Sequence, residues 1–385
     1  MRQTCFSIIL VSLVFCTHAA VAQGAVPSPA GARFPIIQAS LDDGFFSLAE
    51  QQARGLLRED PSEEDANEAL LLLSHALWGQ KRYSEMLDLL DGRGTGPGLV
   101  YWRARAHYEI RQYEQALEVL DSVGEEKDTS RFAPYLLRLH GHIEQRAGEL
   151  IAAEASFARF AENYPDHPER IENEFDLAEM YTLQKRIPEA IASYESLVRE
   201  EDNITVQRAQ LKLAHVLYTQ GAAENFDRAR NLLDSLGVNE NNRLSYRIDA
   251  YVDLGALEEQ AGRKQESFDA MRKAIALSPD ARQRVPLKLA LARMLLRADD
   301  TRGALRLLEE GLVEAPNTLT AAELQLTKAD AMLQAKRHQN AVDAYQVYLD
   351  VADDPAGLAQ AYFGKGLALW ELERYAESAV VLDKA

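Results

Sequence analysis

The chain has 385 residues, more than one compact domain usually holds, with 47% hydrophobic and 26% charged side chains. That balance excludes wholesale disorder and a fibrous chain. Acidic residues outnumber basic ones by 60 to 42, for a net charge of −18, which argues against a general nucleic-acid binder. The two cysteines, Cys5 and Cys16, are too few for a thiolate metal centre or a disulfide scaffold.

In chain order, the first element reads as an export signal. Arg2 precedes the apolar stretch 6–15, and Ala20-Val21-Ala22 supplies small residues ahead of Gln23. The stretch is short for a membrane span, which needs about 20 residues. Residues 1–22 are therefore expected to be a signal peptide cleaved after Ala22, leaving an exported, periplasmic product with no cysteine and no membrane span. Residues 23–41, with Pro27, Pro29 and Pro35, read as a linker.

From residue 42 to 385 the pattern is helical throughout, with apolar residues three and four apart, as in Phe175, Leu177, Ala178 and Tyr181, and with no convincing β alternation. It is also periodic. Ala49, Met86, Ala116, Ala153, Ala190, Ala229, Ser267, Ala304, Ala341 and Ser378 follow short turns at intervals that are mostly 37 residues, with 30, 39 and 38 elsewhere. Twelve positions before most of them lies a second small residue: Ala104, Gly141, Ala178, Gly255, Ala292, Ala329 or Gly366. Two antiparallel helices in close approach require small side chains at both places. Four residues after the second small position comes a large apolar one, such as Phe157, Tyr194, Met271, Leu308, Tyr345 or Leu382, on the same helical face. Pro61, Pro165, Pro279 and Pro316 punctuate the junctions between units.

Two irregularities mark loops. Gly92, Gly94, Gly96, Pro97 and Gly98 crowd the shortened interval, and Gly221-Ala222-Ala223-Glu224-Asn225 adds three turn residues. Neither has the sequence of a phosphate-binding loop.

This combination resembles the tetratricopeptide repeat. The segment Gly141…Gly148-Glu149-Leu150-Ile151-Ala152-Ala153…Phe157…Phe160…Pro165 is close to the family pattern, as is Tyr251…Leu254-Gly255…Gly262…Ser267…Ala274…Pro279. The resemblance covers about residues 43–385 and implies an all-α, right-handed superhelical solenoid of about nine antiparallel hairpins, led by a single helix around Ala49. Only seven residues follow Ser378, so the array is expected to continue or be capped beyond Ala385.

No catalytic constellation is legible. His140 and His142 lie two apart on a helix and point to different sides, and acidic runs such as Glu63-Glu64-Asp65 fall at helix starts. No cofactor or metal is expected, and the chain reads as a non-enzyme. Tyr181, Tyr194 and Phe157 fall at interior positions. By the family resemblance, first-helix side chains line a concave groove, and His75, Trp78, Tyr101, Arg105, Tyr108, Arg138, His142 and Arg146 make a basic, aromatic strip there. Glu172, Asp176 and Glu179 would bound it. By the same resemblance, Trp370 is a further binding candidate on a first helix. The expected function is a periplasmic protein-interaction scaffold or adaptor of the cell envelope. Its partner is a protein or peptide, with an anionic segment or acidic polysaccharide suiting the strip and no nucleic acid. The alternative is the periplasmic repeat segment of an outer-membrane exopolysaccharide export protein.

Overall fold

The computed structural model describes residues 33–93, 96–123, 130–201, 203–220, 223–315 and 319–385. The signal segment 1–22, the start of the linker, Gly94, Gly221, Ala222 and Pro316 lie outside them. Among the described residues there are helices and turns but no strand, in two compact units, 1–186 and 187–385.

The first unit holds α1 (Phe34–Asp42), α2 (Phe46–Arg58), α3 (Glu63–Gly79), α4 (Tyr83–Leu90), α5 (Pro97–Glu109), α6 (Tyr113–Asp121), α7 (Ala133–Ala147), α8 (Leu150–Asn163) and α9 (Arg170–Leu183). The expected linker is wrong at its end, because α1 occupies residues 34–42 and pairs with α2, so the leading helix is not single. Pro35 sits in the first turn of α1, where its missing N–H costs nothing, and Ile37 and Leu41 bury one face. Ser62 caps α3 by accepting from the Asp65 amide, with Glu63, Glu64 and Asp65 in the first turn against the helix dipole.

The second unit holds α10 (Ile187–Leu197), α11 (Ile204–Thr219), α12 (Ala223–Val238), α13 (Leu244–Gln260), α14 (Lys264–Leu277), α15 (Ala281–Arg297), α16 (Thr301–Glu314), α17 (Leu319–Gln334), α18 (His338–Leu349), α19 (Pro355–Glu371) and α20 (Tyr375–Leu382). From α11 to α20 consecutive helices pair as hairpins, each with a first and a second helix.

The small–small rule is visible atom by atom. A Cβ on Gly141 of α7 would lie 2.7 Å from the Phe157 ring of α8, and one on Gly366 would lie 2.4 Å from Leu382. The hydroxyls of Ser267 and Ser378 donate to the carbonyls of Gly255 and Gly366, twelve residues back, at 2.6 and 2.8 Å. Ala49, Ala116, Ala153, Ala190, Ala229, Ala304 and Ala341 are fully buried, as is the one bulky exception, Met86. Phe157 and Tyr194 are core, whereas Tyr181 is half-buried with the Arg186 guanidinium 4.5 Å from its ring centre. Pro61, Pro165 and Pro279 stand between helices of successive hairpins.

Sequence reading missed one periodic feature. Apart from the α11–α12 turn, which lies outside the described residues, the turn inside each hairpin carries a residue in the left-handed region: Gly44, Lys81, Arg111 and Gly148 in the first unit, then Gly262, Asp299, Lys336 and Glu373 in the second, with Lys185 following α9. Glycine fills only three of these places. The others hold side chains in a conformation that costs about 1 kcal/mol or more.

Candidate partner-binding strip

The eight side chains singled out from sequence all lie on α3, α5 and α7 of the first unit, and the structure divides them into three groups.

His75 and Tyr101 are core. His75 is 6% exposed, stacked on Trp102 at 5.2 Å and tilted against Trp78 and Phe46. Burial pushes its imidazole down to about 4, so the ring is neutral at ordinary pH. Tyr101 packs edge-on against Trp102 and Tyr135 and is tilted against Phe132, and burial raises its phenol. The physical reason is that the first helix of the following hairpin covers this face: Trp102 comes from α5 onto α3, and Tyr135 from α7 onto α5. Trp102, the largest fully buried side chain, was not picked out from sequence.

Arg138 and His142 hold the second group together. Arg138 of α7 reaches Asp176 at 2.8 Å and Glu169 at 3.1 Å, with all three side chains nearly buried. His142 Nε2 lies 3.2 Å from the same Asp176 oxygen, while its ring stands edge-on to Phe157. Burial alone would raise the Asp176 carboxyl, but Arg138 and His142 outweigh it and hold it at about 2. The guanidinium is correspondingly pushed up, against its own desolvation, by the two carboxylates. Asp176 is therefore no electrostatic boundary beside a basic strip. It is the counter-ion inside the strip, and Glu169 is a second one that sequence reasoning overlooked. Glu144, on the same helix, accepts from Ser156 Oγ at 2.7 Å.

The third group faces outward. The Arg105 guanidinium carbon is 5.2 Å from the Trp78 ring centre and 5.4 Å from that of Tyr108, a cation between two rings. Glu109 Oε1 receives both Arg105 Nε and Trp78 Nε1 at 3.0 Å, fixing the indole and the guanidinium together. Trp78, Arg105 and Tyr108 are half-buried and Arg146 is exposed. The Tyr108 hydroxyl, hydrogen-bonded to Arg146, raises that guanidinium further. The expected excess of positive charge is thus largely cancelled, because Glu109 neutralises Arg105 while Glu169 and Asp176 neutralise Arg138. What remains is a pre-set aromatic surface with one exposed cation.

Residues 289–357 and 248–281 match family models of the tetratricopeptide repeat. The chain carries tetratricopeptide repeats over these residues. No curated protein matches this repeat protein in sequence. Among solved structures, the apo form of RapI aligns with a TM-score of 0.53 at 13% identity, over 93% of this chain and 96% of that one. The apo form of the quorum sensor NprR from B. thuringiensis gives 0.48 at 14% identity, over 92% and 97%. A tetratricopeptide repeat protein from Parabacteroides merdae ATCC 43184 gives 0.42 at 17% identity, over 65% and 91%. At these identities the likeness concerns the fold.

Proposed function

We propose that this repeat protein is an exported, non-catalytic scaffold of the cell envelope that holds a partner protein or peptide against Trp78, Arg105, Tyr108 and Arg146. The observation that carries the reading is the Trp78–Arg105–Tyr108 sandwich tied by Glu109. Its side chains are already ordered, so a partner gains apolar area and hydrogen bonds without freezing them. Trp, Tyr and Arg are also the residue types that dominate binding energy at protein interfaces. Export to the periplasm rests on the order of Arg2, the apolar stretch 6–15 and Ala20-Val21-Ala22. An anionic segment or acidic polysaccharide fits less well than the bare sequence implied, because the carboxylates of Glu109, Glu169 and Asp176 already occupy the guanidiniums.

The test is capture of partners from an envelope extract by the chain lacking residues 1–22, repeated with Tyr108→Ala and with Arg146→Glu. Arg146 is exposed, so Arg146→Glu should move the thermal midpoint by no more than about 2 °C, while Tyr108 is half-buried against the core and Tyr108→Ala is checked for unchanged helicity. A partner lost about ten-fold or more in both variants supports the strip. Undiminished capture by both removes it.

A further inference from the structure

Two hairpins of the first unit repeat an aromatic pair across their turns. Trp78, near the end of α3, is followed by Tyr83, which opens α4. At the shortened interval of 30 residues, Tyr108 near the end of α5 is followed by Tyr113, which opens α6. In the next hairpin the same places hold Gln145 and Leu150. All four rings are half-buried against the core of this unit. The ring centres of Tyr108 and Tyr113 are 6.0 Å apart. Burial raises the Tyr83 phenol, Glu109 adds to the rise and Arg105 opposes it, so this ring stands beside the ion pair that holds Trp78. Sequence reading singled out only Trp78 and Tyr108 of the four.

Spacing and hydrogen-bonding character together select a backbone for the partner. The helices α3 and α5 pack on each other, and packed helices lie about 8–10 Å apart. A polyproline II segment repeats every three residues, a step of about 9 Å. An extended strand repeats on one face at about 7 Å and an α-helix at about 5 Å, so neither reaches the second aromatic pair in one repeat. The patch also offers mainly donors. A guanidinium has several N–H groups and no acceptor, and Glu109 takes only the Nε donor of Arg105. The Tyr108 hydroxyl accepts from Arg146, which leaves its own hydrogen to donate. A run of prolines supplies carbonyl acceptors and no N–H. Resting on the partner-binding reading of this strip, we infer that the segment it holds is a proline-rich polyproline II stretch. One proline sits on Trp78 and Tyr83, and another, three residues on, sits on Tyr108 and Tyr113. Carbonyls between them take the donors of Arg105, Arg146 and Tyr108. Both surfaces are ordered beforehand, so little entropy is lost on binding.

Two labelled ten-residue peptides test it against the whole chain by fluorescence anisotropy. One carries three prolines at every third place in an alanine and serine background, and its isomer carries them at every second place. The first is expected to bind about ten-fold more tightly. Tyr83→Leu and Tyr113→Leu keep apolar bulk but lose the flat ring, and each should weaken that binding about ten-fold at unchanged helicity. Failure of both peptides to bind at ~1 mM, equal affinity for the two, or indifference to both tyrosine variants overturns the inference. So does tighter binding of an acidic peptide of the same length, which assigns the strip to an anionic partner. If the proline peptides fail while capture from the envelope extract still depends on Tyr108 and Arg146, only the proline assignment falls. If that capture is undiminished in both variants, the reading beneath it falls as well.

Discussion

Two first helices of the chain, α7 and α19, present different chemistry at the same register. Arg138 and Phe363 each lie three residues before the small residue of their helix, Gly141 or Gly366, and His142 and Leu367 each lie one residue after it. In α7 these places are closed: Arg138 is nearly buried, His142 is half-buried, and both share Asp176. In α19 they are open and apolar. The difference shows that a register position does not by itself decide burial. A following first helix covers the face where one is packed, and then a polar side chain there needs a counter-ion. Where none is packed, as on α19 among the described residues, the apolar side chains meet solvent.

His75 occupies the register of His142 and Leu367 but is packed among aromatic rings, which makes it the sharpest way to separate covered from open positions. Its folded-state pKa of about 4 lies below the ordinary value of 6.5, so the unfolded chain binds more protons between these limits. The neutral ring's contribution is therefore complete above about pH 6.5 and is lost as pH falls toward 4, on the order of 3 kcal/mol in all. His75→Phe should flatten the stability profile in that window. The Asp176 carboxyl acts in a lower one, with its contribution present above the usual aspartate range and lost as pH falls through about 2. An unchanged slope between pH 6.5 and 4 in His75→Phe would break the assignment of this histidine to the core.

A smaller effect tests the helix pairing that places these faces. Ala153 and Ala304 are fully buried between helices, so leucine at either overpacks the pair and costs about 1–3 kcal/mol in chemical denaturation. Glu149→Leu, at an exposed turn, should stay within about 0.5 kcal/mol. Similar losses in all three would contradict the register on which α7 and α19 are compared. Smaller still, Lys336 sits in a hairpin turn at φ 57°, where Gly148 and Gly262 serve other hairpins. Lys336→Gly is expected to stabilise by about 0.5–1 kcal/mol, the relief of left-handed strain exceeding the entropy that glycine loses. A lower unfolding midpoint would mean that the lysine side chain holds this turn.

Much of the fold was legible because close helix contact restricts residue size. Gly141 against Phe157 and Gly366 against Leu382 are consequences of a pattern readable as small residues twelve apart followed by a large one. The helix α1 was hidden because Pro35 reads as a breaker in a proline-containing stretch, although a proline in a first turn is harmless. The candidate strip was legible in residue type but not in burial. Periodicity places His75 and Tyr101 on a first-helix face, yet their exposure depends on Trp102, Phe132 and Tyr135, which arrive from the following stretch of chain. Charge was misjudged for the same reason. Asp176 lies 38 residues after Arg138, one repeat plus one residue, and such a partner shows only once consecutive hairpins are stacked.

The most direct measurement is urea unfolding of Arg138→Ala beside Phe363→Ala, two truncations at one register. Arg138→Ala leaves Asp176 and Glu169 buried together without their shared cation and should cost on the order of 3–5 kcal/mol. Phe363→Ala removes a side chain that is already 55% exposed and should cost less than about 1 kcal/mol. Comparable losses from the two variants, or a larger one from Phe363→Ala, would contradict the division of this face into a closed part on α7 and an open part on α19.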